Sequence, residues 1–315
     1  MLFQQRVPPY HLAMQKLLAR LDNPWLLLVL TALFWSGNWV VGRGFRGDVP
    51  PVALAFWRWL LALACVLPLA WPHRAQAWPA LRIHWPILTL LALLGITGYN
   101  TLAYFGLQYT TATNGVLLNS FIPIVIIGLS CAFLGKRLRV LEGIGVSVSL
   151  AGVTVIVAHG ELARLASLTF NPGDLWIMVS VFVWAGYTLL LQRRPAGLHP
   201  MLLLALLTAI GTLGLLPFYL WELGHGRFIH ATLPALAGIA YCGIFPAFLG
   251  YVFWNRAVAQ VGGATAGLFI HLMPVATPML SALFLGEAPQ LYHFAGMALI
   301  IGGIFLSTRP AQPRR

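Results

Sequence analysis

Two side chains stand where apolar surroundings would exclude them. His271, in "LFIHLMPVA", lies well inside an apolar run, and Arg58, in "AFWRWLL", places a full charge inside another. An ionisable residue in such a run points by default to a substrate contact or a proton carrier. For His271 the alternative is a ring satisfied by a neighbouring helix. For Arg58 a mid-bilayer charge costs about 2.5–3.5 kcal/mol on insertion scales, and no acid occurs at matching depth. All seven acids lie at the ends of apolar runs or in loops. Arg58 is therefore expected to donate to backbone carbonyls or face water, in a gating or structural role.

The remaining candidates are neutral. Thr31, Trp35, Asn38 and Gly42 fall at i, i+4, i+7 and i+11, one face of a helix. Ser180, Trp184 and Tyr187 repeat that pattern. Lining a wet cavity is one reading. Helix packing through Gly37 and Gly186, with Asn38 bonded across the interface, is the other. A second stripe runs through Thr97, Asn100 or Thr101, Tyr104 and Gln108, and a more apolar one through Pro246, Leu249, Phe253 and Ala257. Asn119 precedes Pro123, and Ile270 precedes Pro274, each by four residues. Proline frees the carbonyl four residues back, for substrate or for a hinge. A Ser120–His271 pair could in principle serve hydrolysis, but no acid is placed to orient the imidazole. No catalytic residue is assigned, and an enzyme is not expected.

The elements that position these residues are membrane spans. The chain is 59% hydrophobic and 8% charged, against roughly 25% charged in soluble domains. Ten apolar stretches are expected at 25–42, 51–71, 85–107, 112–134, 142–158, 174–192, 199–221, 232–256, 264–285 and 290–307. A span needs about 20 residues to cross the hydrocarbon core. The expected class is all-α, a multi-pass protein of the cell inner membrane. The net charge of +12 follows a topology and does not call for nucleic acid. Fourteen Lys and Arg fall on one side and four on the other, with Arg58 inside a span. That bias puts both termini in the cytoplasm. Residues 1–24 read as a cytoplasmic segment without a cleaved signal peptide, and 308–315 as a basic cytoplasmic tail. The three cysteines lack paired spacing, so neither a metal nor a disulfide framework is expected. No cofactor is implied, and the absence of GxxxxGK[ST] argues against direct ATP drive. The expected partners are a small-molecule substrate and the lipid bilayer. A monomer is compatible with the sequence, which sets no oligomeric state.

Shifted by 149 residues, the chain matches itself. Trp35 lands on Trp184, Asn38 on Tyr187, Pro51 on Pro200, Pro68 on Pro217 and Tyr104 on Phe253. From the fourth span the shift is 151, pairing Pro123 with Pro274, Leu134-Gly135 with Leu285-Gly286, and Gly145 and Gly152 with Gly296 and Gly303. Residues 25–158 and 174–307 thus form two five-span repeats joined by 159–173. Five is odd, so the second repeat is inverted, the plan of many secondary transporters. Gly145, Ser149 and Gly152 on span 5, and Gly296, Gly302 and Gly303 on span 10, read as close-packing faces.

A Trp-small-Gly motif in each first span, a mid-span proline in each fourth, and "LG" plus a charged residue after it resemble the drug/metabolite transporter superfamily, EamA-type. The second half reads "LFLGEAP", whereas the first reads "FLGKRLRV", with Lys136 in place of the usual Glu. The resemblance implies a ten-helix bundle around a central cavity and an exporter of amino acids, other metabolites or toxic cations. Its expected lining is Trp35, Asn38, Asn100, Tyr104, Asn119, Trp184, Tyr187, Phe253 and His271, with Arg58, Pro123 and Pro274 as gate or hinges. Amino acids are the first expectation. A cationic-drug exporter and, behind it, a nucleotide-sugar carrier are the alternatives.

Overall fold

Proline stands at the first helical position of spans 1, 2, 6 and 7. The missing N–H costs nothing there, because that donor has no partner within the helix. In a computed structural model of the protein, residues 23–45, 47–109, 118–135, 139–158, 161, 172–285 and 290–308 are described. Lys136, Gly286, Glu287 and most of the connecting loop lie outside them. The described residues form ten helical stretches and no strand. Spans 1 and 2 are Pro24–Gly44 and Pro51–Ala70. Span 3 runs through Ala77–Ala92, Leu93–Gly98 and Tyr99–Tyr109. The Ile122–Leu134 helix belongs to span 4, and Val140–Val157 is span 5. Spans 6 and 7 are Pro172–Leu190 and Pro200–Gly224. Span 8 runs through Leu233–Cys242, Gly243–Leu249 and Gly250–Val261. Span 9 joins Gly263–Leu268, Phe269–Leu272 and Met273–Leu285, and span 10 is Leu291–Thr308.

The inverted repeat extends to irregularities that the pattern of apolar residues does not announce. Spans 3 and 8 each carry a π-helical segment at matched positions, Leu93–Gly98 and Gly243–Leu249. Spans 4 and 9 are both interrupted at the same place. A turn at Ser120–Phe121 precedes the helix containing Pro123, and a 3-10 segment, Phe269–Leu272, precedes the one containing Pro274. Each proline sits in the first turn of a restarted helix.

Spans 5 and 10 pack on each other through their small residues. A Cβ on Gly152 would lie 2.6 Å from the Gly296 carbonyl oxygen, and one on Gly303 2.5 Å from the Ser149 nitrogen. Gly302 departs from the expected face, because nothing lies within 4 Å of its Cβ position. Gly186 is also not a tight contact, with Leu94 at an ordinary 3.7 Å, whereas Gly37 packs directly on the Tyr241 ring.

Spans 2 and 7 pack side by side and antiparallel. At one end of this pair, the buried Glu222 carboxylate of span 7 accepts from the Val52 and Ala53 N–H groups of span 2, at 3.4 and 2.7 Å. Span 2 begins Pro50-Pro51 and has no side-chain cap of its own. A carboxylate there also complements the positive helix end. Glu222→Ala is expected to destabilise the protein by about 2 kcal/mol, since it leaves buried donors unpaired. Glu222→Gln should recover part of that loss, as read by thermal unfolding in detergent.

At the other end, the His199 Nδ1 accepts from the Met201 N–H at 3.3 Å and caps span 7. The His73 ring stacks on it, with centroids 3.6 Å apart. Desolvation first, and then the neighbouring His73, lower the His199 pKa below the usual histidine value. A histidine with a depressed folded-state pKa contributes stability above about pH 6.5, its unfolded value, and loses it as the pH falls toward the folded one. The unfolding midpoint should therefore drop as the pH falls below about 6.5. His199→Asn, which caps without titrating, should flatten that part of the profile.

Candidate functional site

Trp35 and Trp184, matched by the repeat, meet edge to face with centroids 5.1 Å apart. Aromatic pairs favour this geometry. Around them close Trp254 at 5.2 Å from Trp35, Tyr99 at 4.8 Å from Trp184 and Tyr187 at 5.2 Å from Trp184. Tyr251 lies 5.6 Å from Trp184 and 4.7 Å from Trp59, and so joins span 2 to the cluster. Trp184, Tyr187, Tyr251 and Trp254 are buried, while Trp35 and Tyr99 are half-buried.

Hydrogen bonds fix these rings. The Trp35 indole N–H donates to the Pro246 carbonyl at 3.1 Å, inside the π-helical segment of span 8. The Tyr187 hydroxyl donates to Asn255 Oδ1 at 2.8 Å, and the Tyr251 hydroxyl to the Gly95 carbonyl in the π-helical segment of span 3. Gly95 itself must lack a side chain, because a Cβ there would stand 2.5 Å from the Tyr187 ring. Both π segments thus bring backbone close to the cluster, a recurrent use of this geometry at functional sites.

Beside the aromatic cluster lies a polar one. Arg58 Nη1 donates to the Tyr104 hydroxyl oxygen at 2.6 Å and to Asn38 Oδ1 at 3.2 Å. The Asn38 amide donates in turn to Tyr104 at 3.4 Å. Spans 1, 2 and 3 are tied together by these three side chains. Arg58 is only 3% exposed, so the expectation that it faces water is corrected, and its guanidinium bonds side chains rather than backbone carbonyls. It also lies 5.4 Å from the Trp59 ring centre.

The remaining expected residues are placed as follows. Asn119 Oδ1 accepts from the Tyr99 hydroxyl at 3.2 Å, which links span 4 to the aromatic cluster. Asn100 turns its amide onto its own helix, donating to the Ile96 carbonyl at 3.2 Å. The half-buried Phe253 stacks on Phe34 at 6.0 Å. His271 is fully buried in a different setting. Its Nε2 donates to the Ser120 carbonyl at 2.8 Å, and Ser149 Oγ lies 2.5 Å from its Nδ1. A carbonyl only accepts, so in the neutral ring Nε2 carries the proton and Ser149 donates to Nδ1. His271 and Ser120 are matched by the repeat, so this bond joins the two helix interruptions. The neighbouring-helix alternative for His271 is the arrangement present. Tyr251, Trp254, Asn255 and Trp59 join the site from outside the stripes that regular helical spacing marks.

The EamA-like transporter family matches residues 23–158 and 171–309. An "Uncharacterized transporter" of Archaeoglobus fulgidus is 31% identical over 285 residues, 90% of this chain and 96% of that one. A "Probable terminal-alkyne amino-acid exporter" of Streptantibioticus cattleyicolor is 27% identical over 292 residues, covering 91% of this chain and 94% of that protein. A solved structure 22% identical in sequence shares the fold with a TM-score of 0.71, covering 90% of this chain and 95% of that one. The two matched segments each hold five of the ten spans, and the chain belongs to the EamA-like transporter family.

Proposed function

We propose that the chain exports small organic metabolites, amino acids first among them, across the cytoplasmic membrane, with both termini in the cytoplasm. Transport proceeds by alternating access, the two inverted repeats rearranging around the residues between them, with Pro123 and Pro274 as hinges. The observation that carries this reading is the union of two unlike surfaces: the polar Arg58–Asn38–Tyr104 group and the aromatic cluster built on Trp35 and Trp184. Such a lining suits a solute that is polar at one end and apolar at the other. The amino-acid exporter among the relatives supports the choice.

Purified protein in proteoliposomes, tested by counterflow with a panel of amino acids and organic cations, checks it. Amino-acid exchange is expected; exchange of organic cations alone would favour the drug-exporter alternative. Because Ser120 and Ser149 engage both ring nitrogens of His271, an imposed pH gradient should change the flux little. Gradient-driven accumulation that disappears in His271→Gln would refute that expectation.

A further inference from the structure

We infer that the substrate carries a carboxylate and that Arg58 receives it. This deepens the transport reading and rests on it. Arg58 is buried, and the side chains it bonds, Asn38 and Tyr104, are neutral and both engage Nη1. Its Nε is buried without a partner among the described residues. Neutral partners lessen the cost of a buried cation but leave its charge uncompensated. The Nε side, left without a partner, is the edge with which a guanidinium pairs two oxygens of a carboxylate.

The surroundings point the same way. The indole N–H groups of Trp59, Trp184 and Trp254 are also buried without partners among the described residues. Trp59 is beside Arg58, and all three rings belong to one aromatic cluster through Tyr251 and Trp184. Arginine and indole can only donate. A buried surplus of donors calls for a group that only accepts, and an ionised carboxylate is such a group. The scaffold itself does not require charge at this depth: the matched position in the second repeat is Leu207, which is equally buried. The ammonium of an amino acid would then lie against aromatic faces, which attract cations.

The test is a thermal-unfolding screen of the purified full chain in detergent, using L-phenylalanine, 3-phenylpropionate, phenethylamine and phenyl phosphate, with leucine, 4-methylvalerate and isoamylamine as an aliphatic set. The carboxylates should raise the unfolding midpoint, and the amines should need about tenfold or higher concentrations to match them, the difference of about 1.4 kcal/mol expected for one charge-assisted pair. Arg58→Lys, which keeps the charge but loses the fork, should weaken the carboxylate response about tenfold. The wild-type screen decides the carboxylate even if that variant does not fold, and an undiminished carboxylate response in a folded Arg58→Lys would remove Arg58 from the site. Amines as effective as their acids, phenyl phosphate more effective than any carboxylate, or no response to any carboxylate would each overturn the assignment. Binding of the simple acids without the amino acids would sink the amino-acid reading and leave the carboxylate site standing.

Discussion

Trp184→Ala is expected to lower substrate flux at least about tenfold and to destabilise the protein by about 3–5 kcal/mol, the usual range for truncating a buried aromatic. Trp184 is 1% exposed and touches the rings of Trp35, Tyr99, Tyr187, Tyr251 and Trp254. Removing it opens a void where spans 1, 3, 6 and 8 meet. Unfolding in detergent reads the stability, and counterflow normalised to folded protein reads the flux. Trp184→Phe separates the two, because it keeps a ring in the packing and removes the unpartnered indole N–H. A flux loss in Trp184→Phe with little change in stability would place the N–H on the substrate. Unchanged flux in Trp184→Ala would remove the cluster from the transport path.

Gly152→Leu is expected to cost about 3 kcal/mol or more, at the upper end for forcing atoms into a packed interface. Its first added carbon would already lie 2.6 Å from the Gly296 carbonyl oxygen and 2.9 Å from the Ile300 nitrogen. These are backbone atoms that cannot rotate away, so spans 5 and 10 must separate. Lipid offers no hydrophobic force to hold them, and close backbone approach is what favours their association. Gly302→Leu is the control: it adds the same side chain to the partner helix, where nothing lies within 4 Å, and should change stability by less than about 0.5 kcal/mol. Equal losses in the two variants would mean that the span 5–span 10 contact does not set the cost, since the higher helix propensity of leucine favours both variants.

The ten spans and their pairing into repeats were readable because hydropathy and proline placement survive in the sequence as spacing. Pro51 and Pro200 open matched helices, and Trp35 and Trp184 meet as the shift implied. The candidate site was readable up to the π-helical segments. In span 8 a regular spacing from Pro246 selects Leu249, Phe253 and Ala257. The wider turn at Gly243–Leu249 rotates the remainder of the helix, so Tyr251 and Trp254 enter the aromatic cluster instead. A π turn has no compositional signature of its own. In span 3 the polar stripe splits for the same reason: Thr97 bonds the Gly211 carbonyl of span 7, while Tyr104 turns to Arg58. The role of Glu222 was hidden differently. An acid at a span end looks solvated, and the N–H groups it caps lie 169 and 170 residues away.

The two ends of the span 2–span 7 pair have a thermodynamic consequence. A chain of identical inverted halves would have inward-open and outward-open forms of equal energy, since exchanging the halves converts one into the other. Glu222 and His73 are matched positions with different chemistry, a carboxylate on helix N–H groups at one end and stacked imidazoles over a histidine cap at the other. In the proposed alternating-access cycle this inequality would make the two forms unequal in population. With the proposed topology the His73–His199 end lies toward the cytoplasm and the Glu222 end toward the opposite face, so the two sides of the membrane meet helix ends held together by different chemistry.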